Sequence, residues 1–174
     1  MDWTELLESE MGIAYGATAG LIKMVDDKSL GWKPSTGTNW LTTGQLLLHL
    51  SSACGSGFRG FITGEWKDDG VAPDYKPEKE GMLPPAEKYL AVKSVGEALQ
   101  KLEGDKALSM KLLRQAGEKD LAKKKVAAPW GGPEMLLGKY LLMMVDHLKN
   151  HKAQLFYYLK LQGKPVSTQH LYGM

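Results

Sequence analysis

The chain has 174 residues, 43% of them hydrophobic and 24% charged, which suits one domain over residues 1–174 with a sizeable core. A net charge of +2 gives no reason to expect nucleic acid or a membrane surface as partner, and a single cysteine excludes an internal disulfide or a cysteine-rich zinc site. No apolar run approaches the ~18 residues of a membrane span, and Met1-Asp2-Trp3-Thr4-Glu5 lacks the basic start of a signal peptide, so a cytoplasmic protein is expected.

The first predicted helix covers residues 3–25. Trp3, Leu7, Ala14, Thr18, Leu21 and Val25 recur at the three-to-four spacing of one buried face. Gly12, Gly16 and Gly20 recur every four residues, at a cost in helix propensity, and are expected to let another helix approach closely. A loop over 29–40 follows. Thr42 with Gln45 three residues later forms a capping box and opens a second helix, expected to end near Gly64. On it Leu46, His49, Leu50, Ala53 and Gly57 share a face, so His49 lies in the apolar stripe.

Residues 65–93 are rich in Pro, Gly, Asp and Lys and read as a long loop able to cross the end of a bundle or cover a pocket. Ser94 and Glu97 open a third helix, with Leu99, Leu102 and Leu112 or Leu113 inward and an end near Gly117. Lys123-Lys124-Lys125 reads as solvated surface. Pro129-Trp130-Gly131-Gly132-Pro133 forces a turn. The fourth helix is predicted over 133–161, stopped by Gly163 and Pro165. Its inner face reads Leu136, Tyr140, Met144, His147, His151, Leu155 and Tyr158. No strand pattern is visible. Four helices with one long connection make an all-α four-helix bundle.

Chemistry concentrates in three histidines. Four residues advance a helix by about 40° and 6 Å, so His147 and His151 leave one face a turn apart. If the second helix faces the fourth, His49 joins them. Burying three imidazoles costs several kcal/mol unless each is satisfied, and one divalent ion satisfies all three. Three nitrogens with an open position describe a reactive metal site, suited to zinc, nickel, copper or iron. Gln154, one turn beyond His151, is a hydrogen-bond partner or a bundle contact. Asp146 points about 100° away, and Cys54 ligates only from a distorted helix. Tyr140 and Tyr158 either flank a cavity or serve as packing aromatics. His170 falls outside the pattern. Leu148 stands where a metalloprotease general base would be, and there is no Glu-x-x-His pair, phosphate loop or dinucleotide unit. No catalytic general base is assigned.

The run from Trp40 to Leu50, the run His147-Leu148-Lys149-Asn150-His151-Lys152-Ala153-Gln154-Leu155 with Tyr158 and Gly163-Lys164-Pro165, and the turn Pro129-Trp130-Gly131 together resemble the DinB-like family of metal-dependent four-helix bundles. The resemblance covers nearly the whole chain. It implies up-down-down-up connectivity, frequent homodimers, and a divalent metal held by His49, His147 and His151, with no DNA contact. Some relatives transfer low-molecular-weight thiols or isomerise maleylpyruvate with such a thiol. Two function classes follow. One is a metal-dependent thiol S-transferase or related hydrolase acting on an electrophilic small molecule. The other is a non-catalytic metal-containing bundle that binds a small ligand or uses the ion for stability.

Overall fold

The computed structural model describes residues 1–66, 70–75 and 84–174. Helix α1 (Trp3–Ile22) opens on a capping box in which Asp2 Oδ1 accepts from the Glu5 amide at 2.9 Å and Glu5 returns the bond. Of its predicted inner face, Leu7, Ala14, Thr18 and Leu21 are buried and Trp3 is half-buried, while Val25 is buried just beyond the helix, which ends at Ile22 rather than at 25. Helix α2 (Thr43–Leu50) opens on the predicted Thr42–Gln45 box. It does not run on to Gly64. It stops at Leu50, and a separate helix α3 (Gly55–Thr63) follows after four residues of turn, closed by Gly64 at φ 81°. Helix α4 (Val95–Lys123) is capped by Ser94, whose side chain accepts from the Glu97 amide. The expected end at Gly117 is instead a kink: Gly117 takes φ 70°, ψ 158°, and helix resumes to Lys123.

Helix α5 (Leu137–Leu161) begins later than its proline suggests, because Met135–Leu136 pairs antiparallel with Lys125–Val126 as a two-stranded ribbon, β2 with β1. Strands this short carry no periodicity to read. The basic run 123–125 is exposed, as expected, and its last residue is in β1. A short helix α6 (Thr168–Tyr172) folds back on α1, and the buried Lys152 ammonium donates to the Leu171 carbonyl. Within 65–93, the described residues contain one 3-10 turn, Ala86–Lys88, and a bridge between Val71 and Tyr89; residues 67–69 and 76–83 lie outside the description.

Side-chain pairs give the helix directions. Between α1 and α4, Thr4 meets Glu118, Glu8 meets Arg114 and Tyr15 meets Asp105, so these run antiparallel. Between α1 and α5, Trp3 lies on Gly138 and Glu10 pairs with Lys149, so these run parallel. The α2–α3 segment is antiparallel to α5 through Leu41 with Tyr158, His49 with His147, and Phe61 with Tyr140. It is parallel to α4 through Ser51 with Ala98 and Gly55 with Asp105. The connectivity is therefore up-down-down-up. The two neighbouring parallel members explain the long crossover, since parallel helices cannot be joined by a short turn.

One core fills the bundle, with Leu7, Met11, Leu46, Leu50, Phe58, Leu113, Leu141, Leu148 and Leu155 among its buried side chains. The glycine stripe of α1 does not mediate a close approach. Gly12, Gly16 and Gly20 are not buried, and among the described residues a Cβ on any of them would meet nothing within 4 Å. Close approach falls instead at Gly57, where a Cβ would lie 2.4 Å from Met144 Sδ, and at Gly138 against Trp3. Among the described residues no helix is long and apolar enough to cross a membrane.

Candidate metal centre

The three predicted histidines converge. His147 and His151 leave α5 one turn apart, with ring centroids 4.5 Å apart. His49, in the last turn of α2, stands across from both, at 5.2 Å from the His147 ring and 4.3 Å from the His151 ring. One nitrogen from each lies within 4.8 Å of the others, and the Nε2 atoms of His49 and His147 are 3.2 Å apart. Tetrahedral coordination with metal–nitrogen bonds of about 2.0–2.1 Å sets nitrogens about 3.3–3.4 Å apart. The His49–His147 pair already stands at that spacing, and the remaining pairs, within 4.8 Å, reach it by closing by at most about 1.5 Å, so the donor set fits a divalent ion.

Electrostatics favour the ligand form of all three rings. Burial, then the His151 and His147 rings, pushes the His49 pKa down to about 3 from 6.5. Burial and His151 bring His147 to about 4. Burial lowers His151, opposed by its bond to Gln154. Neutral imidazole is the state that binds a metal. His151 Nδ1 donates to Gln154 Oε1 at 3.1 Å, which fixes the tautomer and leaves Nε2 as the lone-pair donor. Tyr158, one turn beyond Gln154, donates its hydroxyl to the Leu41 carbonyl at 2.9 Å. That bond ties α5 to the residue just before the α2 cap. Gln45, besides closing that cap, donates to the carbonyls of Ala86 and Tyr89 at 2.8 Å each. This brings the crossover over α2 and places the Tyr89 ring edge-on to His49, 5.9 Å between centroids.

The other sequence candidates sort clearly. Asp146 is exposed and pairs with Lys149 at 3.4 Å. His170 is exposed and caps α6 with Ser167. Tyr140 and Tyr158 are buried packing aromatics: Tyr140 stacks on Phe61 at 4.4 Å, and Tyr158 is edge-on to Trp32 at 5.3 Å. Cys54 is buried away from the three histidines, beside Tyr15, Asp105 and Ser109.

That second polar cluster was not anticipated. Asp105 is 8% exposed, accepts from the Tyr15 hydroxyl at 2.6 Å and takes the Gly55 amide at 3.0 and 3.1 Å on its two oxygens. Ser109 Oγ lies 3.0 Å from the same hydroxyl and donates to the Asp105 carbonyl. Burial raises Asp105 to about 6 and Cys54 to about 12, and it drives Tyr15 well above its ordinary range. A signal was available in the sequence. Ala98, Leu102, Asp105, Ser109 and Leu112 keep the four-three spacing of one inward stripe, which puts a carboxylate in the core.

Fold and cluster together define a four-helix bundle with a histidine centre between two antiparallel members. Residues 12–155 match the DinB superfamily, and the chain belongs to that superfamily. Comparison with curated proteins gives no match. Among solved structures, the chain is similar to a protein assigned to the DinB family from Exiguobacterium sibiricum 255-15, at 18% identity and TM-score 0.65, covering 98% of each chain. It is also similar to a DinB-like protein from Bacillus cereus ATCC 10987, at 16% identity and TM-score 0.69, covering 94% of this chain and 95% of that one. A mycothiol-dependent maleylpyruvate isomerase matches at 18% identity and TM-score 0.56, over 89% of this chain and 63% of the isomerase. At these identities the likeness establishes the fold.

Proposed function

We propose that His49, His147 and His151 hold one divalent metal ion, zinc, nickel or iron, and that the protein is a metal-dependent enzyme. The reaction class is transfer of a low-molecular-weight thiol to an electrophilic small molecule, or a related hydrolysis. The observation that carries this reading is the convergence of three neutral imidazole nitrogens within 4.8 Å. Such an ion, when bound, lowers the pKa of a coordinated thiol or water and supplies an anionic nucleophile near neutral pH. The chain's own part is to bind and orient. Burial keeps the three rings unprotonated, and Gln154 holds the His151 tautomer. The likeness to a mycothiol-dependent isomerase supports a thiol as co-substrate. The same reading includes a single domain over residues 1–174, a homodimer and a cytoplasmic location.

A second reading has one observation in its favour. Among the described residues, no carboxylate or thiol joins the three-histidine group as a separate acid–base group. A bundle that holds the ion for stability or for binding a small ligand needs none.

Elemental analysis of the purified protein is the test. About one equivalent of zinc, nickel or iron per chain, lost in His151→Ala, supports the centre. No uptake on titration overturns it. Thiol consumption against an alkyl halide then separates the two readings. Metal-dependent displacement of halide by the thiolate sulfur favours the enzyme; a background rate from the loaded protein favours the metal-holding bundle.

A further inference from the structure

The break between α2 and α3 lies one residue beyond His49. The His49 carbonyl already belongs to the turn, accepting from the Ser52 amide at 3.2 Å. In an unbroken helix the Gly55 amide would bond to the carbonyl four residues back. Here it bonds instead to the buried carboxylate of Asp105, on α4, at 3.0 and 3.1 Å. A buried carboxylate needs such partners, and the first amides of a helix are well suited to supply them. Gly55 is required for the approach, because a Cβ there would lie 2.3 Å from Asp105 Oδ1. A second tie crosses the turn: Ser51 Oγ donates to the Leu47 carbonyl at 2.7 Å and to the Ala98 carbonyl of α4 at 3.1 Å.

The bend lets each half of the segment meet α5 in its own way. The α3 half seats Gly57 on Met144 and Phe61 on Tyr140. The α2 half presents His49 to His147 and His151. Asp105 touches none of the three histidines, yet it holds the turn from which one of them projects.

We propose that Asp105 is a positioning residue for the histidine centre: through the Gly55 amide it fixes the bend that aims His49 at His147 and His151. Tyr15 holds the Asp105 carboxylate from α1, and Ser109 on α4 meets the same Tyr15 hydroxyl. The inference rests on reading the three histidines as a metal centre.

The test uses Asp105→Asn and Gly55→Ala, the first weakening the acceptor and the second displacing it without changing its charge. Cobalt(II) affinity, the cobalt ligand-field spectrum and thermal unfolding of the metal-free protein are measured for each. Both variants are expected to bind cobalt about tenfold more weakly, near the lower end of what supporting groups contribute to metal affinity, with an altered spectrum. Leu7→Ala, a core truncation on α1, is the control for general destabilisation and is expected to leave the spectrum unchanged. If Asp105→Asn does not fold, Gly55→Ala carries the comparison. Wild-type affinity and spectrum in a folded variant would overturn the proposal. If the wild type takes up no metal, the metal reading fails separately. The His49 ring resonances then decide this inference: a shift in both variants supports it, and unchanged resonances overturn it.

Discussion

Among the described residues, a buried polar cluster around Asp105 and a half-buried one around His49 are solved in opposite ways. Around Asp105, every group finds a partner within the protein: the carboxylate takes two donors, the Tyr15 hydroxyl gives its proton, and Ser109 bridges. Around His49, the nearest polar neighbour of one imidazole is another imidazole, with Nε2 facing Nε2 at 3.2 Å. Both clusters cost free energy to desolvate. The first is self-sufficient and does structural work. The second gathers three ring nitrogens within 4.8 Å of one another, the donor set that the proposed ion would use.

The contrast is broken most directly at the histidines. His147→Ala is expected to weaken metal binding by more than about 100-fold, beyond the 10–100-fold typical of supporting groups, measured by zinc titration against a chelator. In the other cluster, Tyr15→Phe removes a hydrogen bond to a buried carboxylate and is expected to cost about 2 kcal/mol in denaturant unfolding.

Acid should separate the clusters by sign. His49 and His147 titrate at about 3 and about 4 in the fold, against 6.5 unfolded. The unfolded chain therefore binds protons that the fold excludes. The contribution of these rings is complete above pH 6.5 and is lost as pH falls through their folded values. Asp105 is raised from 3.8 to about 6, so the fold binds its proton more tightly. Its contribution is complete below pH 3.8 and declines as pH rises through about 6. In metal-free protein, the stability difference between wild type and His49→Ala should rise from pH 4 to 6.5. The difference between wild type and Asp105→Asn should fall from pH 4 to 6. Slopes of the same sign would break the comparison.

Smaller effects sharpen it. Gln154→Leu releases the His151 tautomer and is expected to weaken metal binding about tenfold, or ~1.4 kcal/mol, with the same titration as readout. Gly16→Ala, on the open face of α1, is expected to stabilise by up to about 1 kcal/mol through helix propensity and to leave metal affinity unchanged.

Much of the site was legible in the residues because it is local. The caps at Thr42 and Ser94 depend on partners three residues away. His147 and His151 share a face by helical period alone, and Gln154 reaches His151 for the same reason. The DinB-like resemblance and the three-histidine grouping rest on such local patterns taken in order. The glycine stripe of α1 was misread because small residues every four positions look the same whether they face a neighbour or water.

By itself the sequence determined where the four long helical segments lie, much of the apolar stripe each one buries and which imidazoles it offers; helix α6 was not foreseen. Only the tertiary structure decided that α2 and α3 are separate, that α4 kinks at Gly117 and that β2 takes the first turn expected of α5. Periodicity and capping act within one or two helical turns. The break after His49 is accompanied by a bond from the Gly55 amide to a carboxylate 50 residues further on, on another helix, in place of the bond a continuous helix would have kept.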